Sequence, residues 1–425
     1  MLPADGLAGV WGAGLEGQSV AKQLIRDGRN VLVVDENPMT RPPGLPAEAD
    51  FRAGLTALEM LSACDFIVAS PGIPRVHPFR QRLADLGIVV TTSTALWMAD
   101  HSDMVVGVTG TKGKSTTAAL THFILKTTGI ENELAGNIGV PLTNITEPNT
   151  VVVAELSSYQ CAYLNKSPRI AVITNLYQDH LPWHGSPEQY WLDKTRVFTE
   201  GAQTLICSPV TLQKLSQLDV RLPVTVRTTD TNQFDVAAVP DFLRTAHGIE
   251  NLKLAFLAAE AVISFNYADM LAELPRYVGL PHRLQTVSER DGRTWVDDSL
   301  STTGESVCAA INSFVGRELV LIVGGMDRGI DYSPLTSALA TRVPAVKLVC
   351  MPDNGRSMVS AYMAANPELV LEAKTMEDAV LAARDLSGRG AIIVMSPGAP
   401  SQNMYKNFEE KSNHFIDALA KMVRS

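Results

Sequence analysis

The residues best placed to do chemistry stand in one short segment, residues 104–120, which reads MVVGVTGTKGKSTTAAL. An apolar run leads into a glycine-rich turn, and the turn closes on GKST (113–116) at the start of a helical pattern. In such a turn the backbone N–H groups surround phosphate oxygens, Lys114 would face the β- and γ-phosphates, and the Ser115 hydroxyl could bind Mg²⁺. The strict consensus would need a glycine at Val108. The segment predicts a nucleoside triphosphate site, with an ordinary strand–turn–helix as the alternative.

A second glycine-rich turn lies near the N-terminus. Gly12, Gly14 and Gly17 have the G-x-G-x-x-G spacing, a helical pattern follows, and the apolar run VLVVD ends at Asp35. This spacing is typical of a dinucleotide-binding turn, in which a pyrophosphate lies at a helix N-terminus. On this segment alone the chain would be an NAD-dependent oxidoreductase. That interpretation leaves the lysine-containing turn without a use.

Two further segments carry polar residues beside predicted strands. The apolar run VVVAEL contains Glu155 near its end, at the sheet edge expected to carry the phosphate turn, where a carboxylate could bind Mg²⁺. Residues 174–198, TNLYQDHLPWHGSPEQYWLDKTRVF, contain His180, His184 and Lys194. A structural role and a functional role are equally open for His184.

These residues need a scaffold, and the pattern of the chain predicts one. Short runs rich in Val and Ile alternate with longer helical patterns, which is typical of parallel, doubly wound α/β sheets. So many strands exceed one compact sheet, and the 425 residues therefore divide into several α/β domains. The predicted strands lie at residues 31–35, 65–70, 87–90, 104–110, 151–156, 171–175, 319–325, 345–350 and 391–396.

The bulk composition narrows the function classes. A net charge of −9 argues against broad nucleic-acid binding. Five scattered cysteines without a C-x-x-C pair indicate free thiols in a reducing compartment. The first residues lack the basic and apolar regions of a signal peptide, and no apolar run approaches the ~20 residues of a membrane span. We therefore expect a cytoplasmic monomer with small-molecule partners, without nucleic acid and without a membrane span.

The two turns, taken with the segments after them, resemble the Mur ligase family. The similarity extends in the family order from residue 10 to residue 415, and its last segment resembles the tail of the glutamate-adding branch. The segments that carry it are TGTKGKSTT, AGNIGVPL, VVAELSSYQ, HGIENLKLA, LPHRLQ, WVDDSLSTT and MSPGAPSQNMYKNFEEKSNHF.

The resemblance implies a three-domain α/β architecture. A Rossmann-like domain (1–98) would bind a UDP substrate, a central P-loop domain (99–282) ATP, and a second Rossmann-like domain (283–425) the incoming amino acid. The implied reaction is an ATP- and Mg²⁺-dependent ligation of glutamate to UDP-N-acetylmuramoyl-L-alanine, a step of peptidoglycan precursor synthesis. The N-terminal turn would then hold the UDP diphosphate and no nicotinamide. ATP hydrolysis that depends on the UDP substrate would separate this ligase from an oxidoreductase and from a P-loop protein without ligase activity.

The resemblance also implies roles for individual residues. Lys194 would carry a carbamate, because an ammonium group has no lone pair to offer a metal. The catalytic residues are Lys114, Glu155, His180 and Lys194, and the metal residues are Ser115, Glu155, His180 and the carbamylated Lys194. ATP is assigned to Gly110, Thr111, Gly113, Lys114, Ser115, Thr116, Asn251, Arg283 and Asp298. The UDP substrate is assigned to Gly14, Leu15, Glu16, Gly17, Asp35, Ser70 and Asn137, and glutamate to Thr302, Arg328, Ser401 and Phe408.

The implied amino-acid site departs from the family pattern at two positions. Family members that add D-glutamate carry a lysine where this chain has Leu300, and a second family lysine is Arg328 here. An arginine without the other lysine still suits a dicarboxylate, because its guanidinium binds a carboxylate through two N–H donors. We therefore favour L-glutamate as the incoming amino acid, with D-glutamate as the alternative.

Overall fold

The computed structural model describes residues 6–37, 39–138, 140–145, 150–179, 181–231, 234–240, 243–277, 279–327, 332–401 and 404–422. The chain forms two compact units, Met1–Tyr277 and Val278–Ser425. The first unit holds two β-sheets and the second unit holds one.

The first sheet carries the N-terminal glycine-rich turn. Its strands are β1 (Leu7–Trp11), β2 (Asn30–Asp35), β3 (Asp50–Ala53), β4 (Phe66–Ala69) and β5 (Val89–Thr91), and its helices are α1 (Leu15–Arg26), α2 (Pro78–Asp85) and α3 (Ser93–His101). The strands are parallel in the order β3-β2-β1-β4-β5. The order changes direction beside β1, and ligands bind at such switch points of open α/β sheets.

The second sheet carries the GKST turn at its centre. Its strands are β6 (Val105–Thr109), β7 (Asn132–Gly136), β8 (Val151–Glu155), β9 (Ile170–Ile173), β10 (Thr204–Cys207) and β11 (Thr225–Thr228). The helices around it are α4 (Lys114–Thr127), α5 (Ser158–Cys161), α6 (Leu181–His184), α7 (Pro187–Thr199), α8 (Pro209–Leu215), α9 (Ala246–Glu260) and α10 (Tyr267–Glu273). The strands are parallel in the order β11-β10-β9-β6-β8-β7, so the carboxyl ends of β6, β8 and β9 meet at one edge.

The third sheet forms the second unit. Its strands are β12 (Gln285–Arg290), β13 (Arg293–Asp297), β14 (Leu319–Val323), β15 (Lys347–Cys350), β16 (Val370–Glu372) and β17 (Ile392–Met395). Its helices are α11 (Gly304–Ser313), α12 (Ser333–Thr341), α13 (Gly355–Met358), α14 (Ser360–Ala365), α15 (Met376–Leu386) and α16 (Phe408–Lys421). The order is β12-β13-β17-β14-β15-β16, with β12 antiparallel to β13 and the other neighbours parallel.

The predicted α/β class is confirmed, since every predicted strand overlaps an observed one and the sheets are largely parallel. Short 3₁₀ helices lie at Leu55–Ala63, Ser102–Met104, Leu142–Asn144, Val236–Ala238, Leu274–Arg276 and Pro367–Leu369. All five cysteines are free thiols, as predicted, and four of them are buried. Among the described residues, none of the helices has both the length and the apolar character needed to cross a bilayer.

Candidate active site

The GKST turn is a tight connection between β6 and α4. Gly110 and Gly113 have φ angles of 140° and 82°, which residues with a Cβ rarely adopt. A Cβ on Gly110 would lie 1.9 Å from Thr174 Oγ1, and one on Gly113 would lie 2.4 Å from Asn251 Oδ1. Glycine is therefore required at both positions. The same contact shows that Asn251, on α9, lies against the turn.

The segment that follows β9 holds the turn in place. The N–H groups of Thr111 and Lys112 donate to the main-chain oxygen and to Oδ1 of Asn175, each at 2.9 Å. Thr174 Oγ1 and Asn175 Nδ2 both donate to the Lys112 carbonyl, at 2.6 and 2.9 Å. The Tyr190 hydroxyl donates to Thr111 Oγ1 at 3.1 Å. The turn therefore has a fixed shape before any nucleotide binds, which reduces the entropy lost on binding.

Three predicted ATP residues begin α4. Lys114 Nζ donates to the Thr111 carbonyl at 3.1 Å, so the ammonium group lies over the turn. Ser115 is buried and Thr116 is half-buried. Backbone N–H groups at a helix N-terminus favour anions, and the lysine adds a full positive charge at the same place. The arrangement suits a polyphosphate, although direct contact with ATP stays a prediction for each residue.

Glu155 is a buried carboxylate at the end of β8. Its Oε1 accepts a hydrogen bond from Asn137 Nδ2 at 2.9 Å, and its carbonyl accepts one from Asn137 N at 2.8 Å. Its Oε2 has no hydrogen-bond partner among the described residues. A buried carboxylate oxygen without a donor is costly unless a cation binds it. Asn137, predicted to contact the UDP substrate, thus lies beside the predicted metal residue.

Lys194 is buried on α7 and reaches the same turn. Its Nζ donates to the Gly110 carbonyl at 2.8 Å. Burial, together with the positive charge of Lys114, lowers the pKa of Lys194 to about 7. The negative charge of Glu155 acts in the opposite direction, so Glu155 lies within electrostatic range. An amine that is readily neutral can react with CO₂, which suits the predicted carbamate.

These residues fit a divalent cation in the donor types they offer. Carboxylate, hydroxyl and carbamate oxygens are the ligands that Mg²⁺ prefers. No group of three His, Cys, Asp or Glu side chains that could hold a metal occurs in the described part of the chain. The predicted set does not need one, because Ser115 and Lys194 contribute two of its members. Its fourth member, His180, lies outside the described residues.

His184 occupies the centre of a buried polar chain. The imidazole bonds to Asp193 Oδ2 through Nδ1 at 2.6 Å and to Ser158 Oγ through Nε2 at 2.9 Å. Asp193 Oδ1 accepts from Arg75 Nη1 at 2.5 Å. The sequence predicted no role for either Ser158 or Asp193. A signal existed, because Asp193 directly precedes Lys194 and Ser158 lies three residues after Glu155.

The N-terminal turn on the first sheet has the spacing and packing of a phosphate turn. Gly12 has a φ of 105°, and a Cβ there would lie 2.4 Å from Ser70 Oγ. A Cβ on Gly17 would lie 1.9 Å from the Gly12 carbonyl. Gly14, by contrast, faces open space, because a Cβ there would meet nothing within 4 Å. The structure thus brings Ser70 to the turn and leaves room beside Gly14.

The acidic residues near this turn form hydrogen bonds within the protein. Asp35 Oδ2 accepts from the Ala13 N–H at 2.9 Å, which ties the end of β2 to the turn. Glu16, on the first turn of α1, accepts a hydrogen bond from the Ser93 hydroxyl, and burial raises the pKa of Glu16. Leu15 begins α1, and its side chain lies outside the described part. The role of each in binding the UDP substrate stays a prediction.

The second unit holds the other predicted ATP residues. Asp298 is buried, and its carboxylate accepts from Leu284 N at 3.2 Å, Ser301 Oγ at 2.5 Å and Ser396 Oγ at 2.6 Å. Burial raises the pKa of Asp298 to about 6, and this effect outweighs the three hydrogen bonds and the charge of Arg283, which act in the opposite direction. In this structure Asp298 therefore fixes the end of β13, and its contact with ATP stays a prediction.

The predicted glutamate residues lie around the start of α16 and the end of β13. Phe408 begins α16, and its ring meets the His282 ring edge-on at 5.5 Å between centroids. Leu300 N donates to the His282 carbonyl at 3.1 Å, so His282 brings both segments together. Ser401 is buried, and its Oγ has no partner among the described residues. Thr302 is half-buried and Arg328 lies outside the described residues.

The fold and the site together define an ATP-using enzyme of the α/β class, with a phosphate turn beside a buried carboxylate and a buried lysine. Comparison with known proteins supports the same conclusion. The chain matches the Mur ligase MurD-like N-terminal domain over residues 8–92, the Mur ligase middle domain over residues 108–233 and the Mur ligase glutamate ligase domain over residues 282–398.

The similar proteins include three named UDP-N-acetylmuramoyl-L-alanine–L-glutamate ligase. One from a Micromonospora species is 36% identical, over 96% of this chain and 95% of its own length. One from Salinispora tropica is 35% identical over 96% of each chain, and one from Xylella fastidiosa is 34% identical over 84% of this chain and 82% of its own length. The chain therefore belongs to the Mur ligase family, and it is an ATP-dependent peptide ligase.

Solved structures show the same fold at low identity. UDP-N-acetylmuramate-alanine ligase MurC from Thermotoga maritima superposes with a TM-score of 0.59 at 14% identity, covering 98% of this chain and 99% of that one. MurF ligase from Thermotoga maritima, solved in complex with ADP, gives 0.56 at 14% identity and covers 99% and 98%. The predicted three-domain architecture is confirmed, and the oxidoreductase alternative is not retained.

Proposed function

We propose that this chain joins glutamate, preferentially L-glutamate, to the free carboxylate of UDP-N-acetylmuramoyl-L-alanine at the expense of ATP. The observation that carries the proposal is the placement of two buried groups, Glu155 and Lys194, beside the turn that Lys114 covers. The names of the most similar relatives support both substrates. The product would be a peptidoglycan precursor, so loss of the enzyme would affect cell-wall growth, cell shape and division.

The chemistry proceeds in two steps. An oxygen of the substrate carboxylate attacks the γ-phosphorus of ATP, and ADP leaves. The glutamate amine then attacks the acyl carbon of the acyl phosphate, inorganic phosphate leaves, and the nitrogen loses a proton. Lys114 offsets the repulsion between the carboxylate and the γ-phosphate, because its ammonium already lies over the turn.

Ser115, Glu155, His180 and carbamylated Lys194 would hold Mg²⁺. The ion, when bound, would neutralise charge on the phosphates. Glu155 supports this role because its buried Oε2 has no donor among the described residues. Lys194 supports it because an ammonium in that position would repel a cation, whereas a carbamate supplies oxygen ligands. Formation of the carbamate joins the amine nitrogen to CO₂ and releases one proton.

We assign the substrates to the two glycine-rich turns and to the second unit. The UDP diphosphate would lie in the open space beside Gly14, with Ser70 and Gly17 shaping the turn. Glutamate would bind Thr302, Arg328, Ser401 and Phe408. Leu300 in place of a lysine favours the L enantiomer, and the names of the relatives agree with it. We retain domain boundaries after residues 98 and 282, a monomer and a cytoplasmic location as predictions.

The test is ADP release in the presence of Mg²⁺ with UDP-N-acetylmuramoyl-L-alanine and either L- or D-glutamate. We expect ADP release to require the UDP substrate and to be faster with L-glutamate, and a peptide product to accumulate in proportion. Turnover with D-glutamate alone would overturn the enantiomer assignment and leave the ligase assignment intact. ADP release without the UDP substrate, or no product with either enantiomer, would overturn the proposed reaction.

A further inference from the structure

A chain of hydrogen bonds links Ser158, His184, Asp193 and Arg75, is buried except at Arg75, and has no part in the proposed chemistry. His184 is fully buried as a side chain, and both its ring nitrogens are hydrogen-bonded. Because a carboxylate only accepts, Nδ1 donates to Asp193, and Nε2 shares a hydrogen bond with the Ser158 hydroxyl. Asp193 also accepts from Arg75 at 2.5 Å and from Gln189 Nε2 at 2.8 Å.

The ends of this chain stand next to two of the predicted metal residues. Ser158 is the first residue of α5, three positions after Glu155 at the end of β8. Asp193 immediately precedes Lys194 on α7. One imidazole therefore joins α5, which follows the strand that carries the Glu155 carboxylate, to the helix that carries the Lys194 amine.

The surroundings hold the imidazole in one orientation. The ring of Trp183 lies 4.4 Å from the His184 ring, that of Tyr190 lies 5.0 Å away, and that of Tyr159 is stacked on it at 5.6 Å. An apolar side chain at position 184 could pack among these rings without the cost of burying polar groups. Buried polar chains are costly, and when every member is paired they fix one arrangement of the elements they join.

The chain also reaches the first sheet. Arg75 belongs to the loop between β4 and α2, the same loop that contains Ser70, and its guanidinium is partly exposed. In the same region Trp183 Nε1 donates to the Pro71 carbonyl at 3.2 Å. The helix that carries Lys194 is thus tied both to α5, which follows β8, and to the loop expected near the UDP diphosphate.

We propose that His184 is a positioning residue that sets the separation of Glu155 and Lys194 through its bonds to Ser158 and Asp193, with Arg75 as the link to the first sheet. The proposal rests on the proposed function, since it concerns the metal residues of that reaction. Residues that orient metal ligands from behind usually cost ten- to a hundredfold in metal affinity or activity when removed.

Two substitutions each remove one of the two hydrogen bonds of His184 and keep the other. In His184→Asn the amide nitrogen can still donate to Asp193, but the bond to Ser158 is lost. In His184→Gln the amide oxygen can still accept from Ser158, but the bond to Asp193 is lost. His122→Asn is the matched control. His122 lies on α4, away from the turn, and its Nδ1 is hydrogen-bonded to Asn132 Oδ1 at 2.7 Å. Arg75→Met tests the partly exposed end of the chain at little risk to folding.

The readouts are kcat, KM for glutamate, the Mg²⁺ concentration for half-maximal rate, and the ¹³C signal of the Lys194 carbamate after equilibration with ¹³CO₂. We expect both His184 variants to lower kcat about ten- to a hundredfold. They should also raise the Mg²⁺ requirement several-fold and weaken the carbamate signal, with KM for glutamate within about twofold. Arg75→Met should change the same quantities in the same direction by a smaller factor.

The outcomes separate the inference from the proposed function. If the wild-type protein performs no ligation, the proposed function fails first. If it does, and folded His184 variants keep the wild-type Mg²⁺ requirement and carbamate signal, the positioning role is overturned. Should the His184 variants fail to fold, Arg75→Met decides, and wild-type values for it overturn the inference. Equal losses in His122→Asn would also overturn it, since the effect would then be general destabilisation.

Discussion

The two glycine-rich turns of the first unit share a backbone design and differ in the charges around it. Both connect a central parallel strand to a helix, and both place glycines at positive φ, Gly12 in one and Gly110 and Gly113 in the other. At the N-terminal turn the charged residues are acidic. Asp35 and Glu16 accept hydrogen bonds from other groups of the protein. The second turn has Lys114 folded over it and Lys194 bonded to it.

The difference shows why one spacing motif does not identify a reaction. A strand–turn–helix with glycines can hold the phosphates of several ligands, because its backbone N–H groups and helix N-terminus are the same in each. Chemistry at a phosphate also needs cations that face the transferring group. Among the described residues, only the turn at residues 110–113 has such groups bonded to it, and for this reason we propose it as the site of phosphoryl transfer.

The largest effect is expected from Lys114→Ala. Removing the ammonium leaves the γ-phosphate and the attacking carboxylate without their fixed positive partner. The loss of kcat should be about a thousandfold, corresponding to ~4 kcal/mol of transition-state stabilisation. Steady-state ADP release measures it.

Lys112→Ala is the matched control for that experiment. Lys112 stands two residues earlier in the same turn, but its side chain is 70% exposed and its Nζ lies 3.6 Å from Asp179 Oδ2. Its kcat should stay within a few-fold of wild type. Equal kcat values for Lys114→Ala and Lys112→Ala would show that the Lys114 ammonium does not set this turn apart from the N-terminal one.

Lys194→Ala should lower kcat about a hundredfold, because the carbamate oxygens are lost from the predicted metal site. Added acetate should restore part of the rate by supplying a carboxylate in the space left by the side chain. Lys214→Ala is the control, since Lys214 Nζ also donates to a carbonyl, that of Leu176 at 2.6 Å, but lies on α8. An active Lys194 variant, indifferent to acetate, would contradict the metal role.

The pH dependence of the wild-type enzyme tests the same residue. Only the neutral amine reacts with CO₂, and the pKa of Lys194 lies at about 7. Protonation therefore opposes carbamate formation as the pH falls through 7, and activity at pH 6 should be lower than at pH 8. Added bicarbonate should recover part of the loss at pH 6. Activity independent of bicarbonate across this range would argue against the carbamate.

A smaller effect is expected at the N-terminal turn. Gly14 has φ −66°, which any residue can adopt, and a Cβ there meets nothing, so Gly14→Val should fold and fill the space beside the turn. KM for the UDP substrate should rise about tenfold, equivalent to ~1.4 kcal/mol, while KM for ATP stays unchanged. Calorimetry of the wild type should show binding of the UDP substrate and none of NAD⁺. A rise in the KM for ATP instead would reverse the assignment of the turns.

Nine apolar strands could be predicted from the sequence, although the apolar β1 and β10 were missed, and weakly apolar strands such as β3 and β7 could not be predicted. β14 is an unbroken apolar run, and β2 and β6 are apolar except at their ends, because helices cover both faces of a parallel sheet. β7 reads NELAG and β3 reads DFRA, and both lie at sheet edges where side chains are partly exposed. Without an apolar pattern, neither has a local signal that separates it from a loop.

The turns, Glu155 and Lys194 could be predicted because each belongs to a short motif in one segment of sequence. The chain through His184 could not, because its residues come from four separate elements and meet only after the sheets form. The contact of Asn137 with Glu155 is of the same kind, since β7 and β8 must pair before the two side chains can meet. The exposure of Gly14 to open space likewise depends on the tertiary packing.

In the proposed reaction, the turn at residues 110–113 binds the ATP whose γ-phosphoryl group is transferred to the substrate carboxylate. The most direct measurement uses UDP-N-acetylmuramoyl-L-alanine labelled with ¹⁸O in its free carboxylate, with unlabelled ATP and L-glutamate. One carboxylate oxygen becomes the bridge of the acyl phosphate and leaves with phosphorus when the amine attacks. We expect one ¹⁸O in the inorganic phosphate for each peptide bond formed, as read by mass spectrometry. Unlabelled phosphate, released while the peptide forms, would contradict the account.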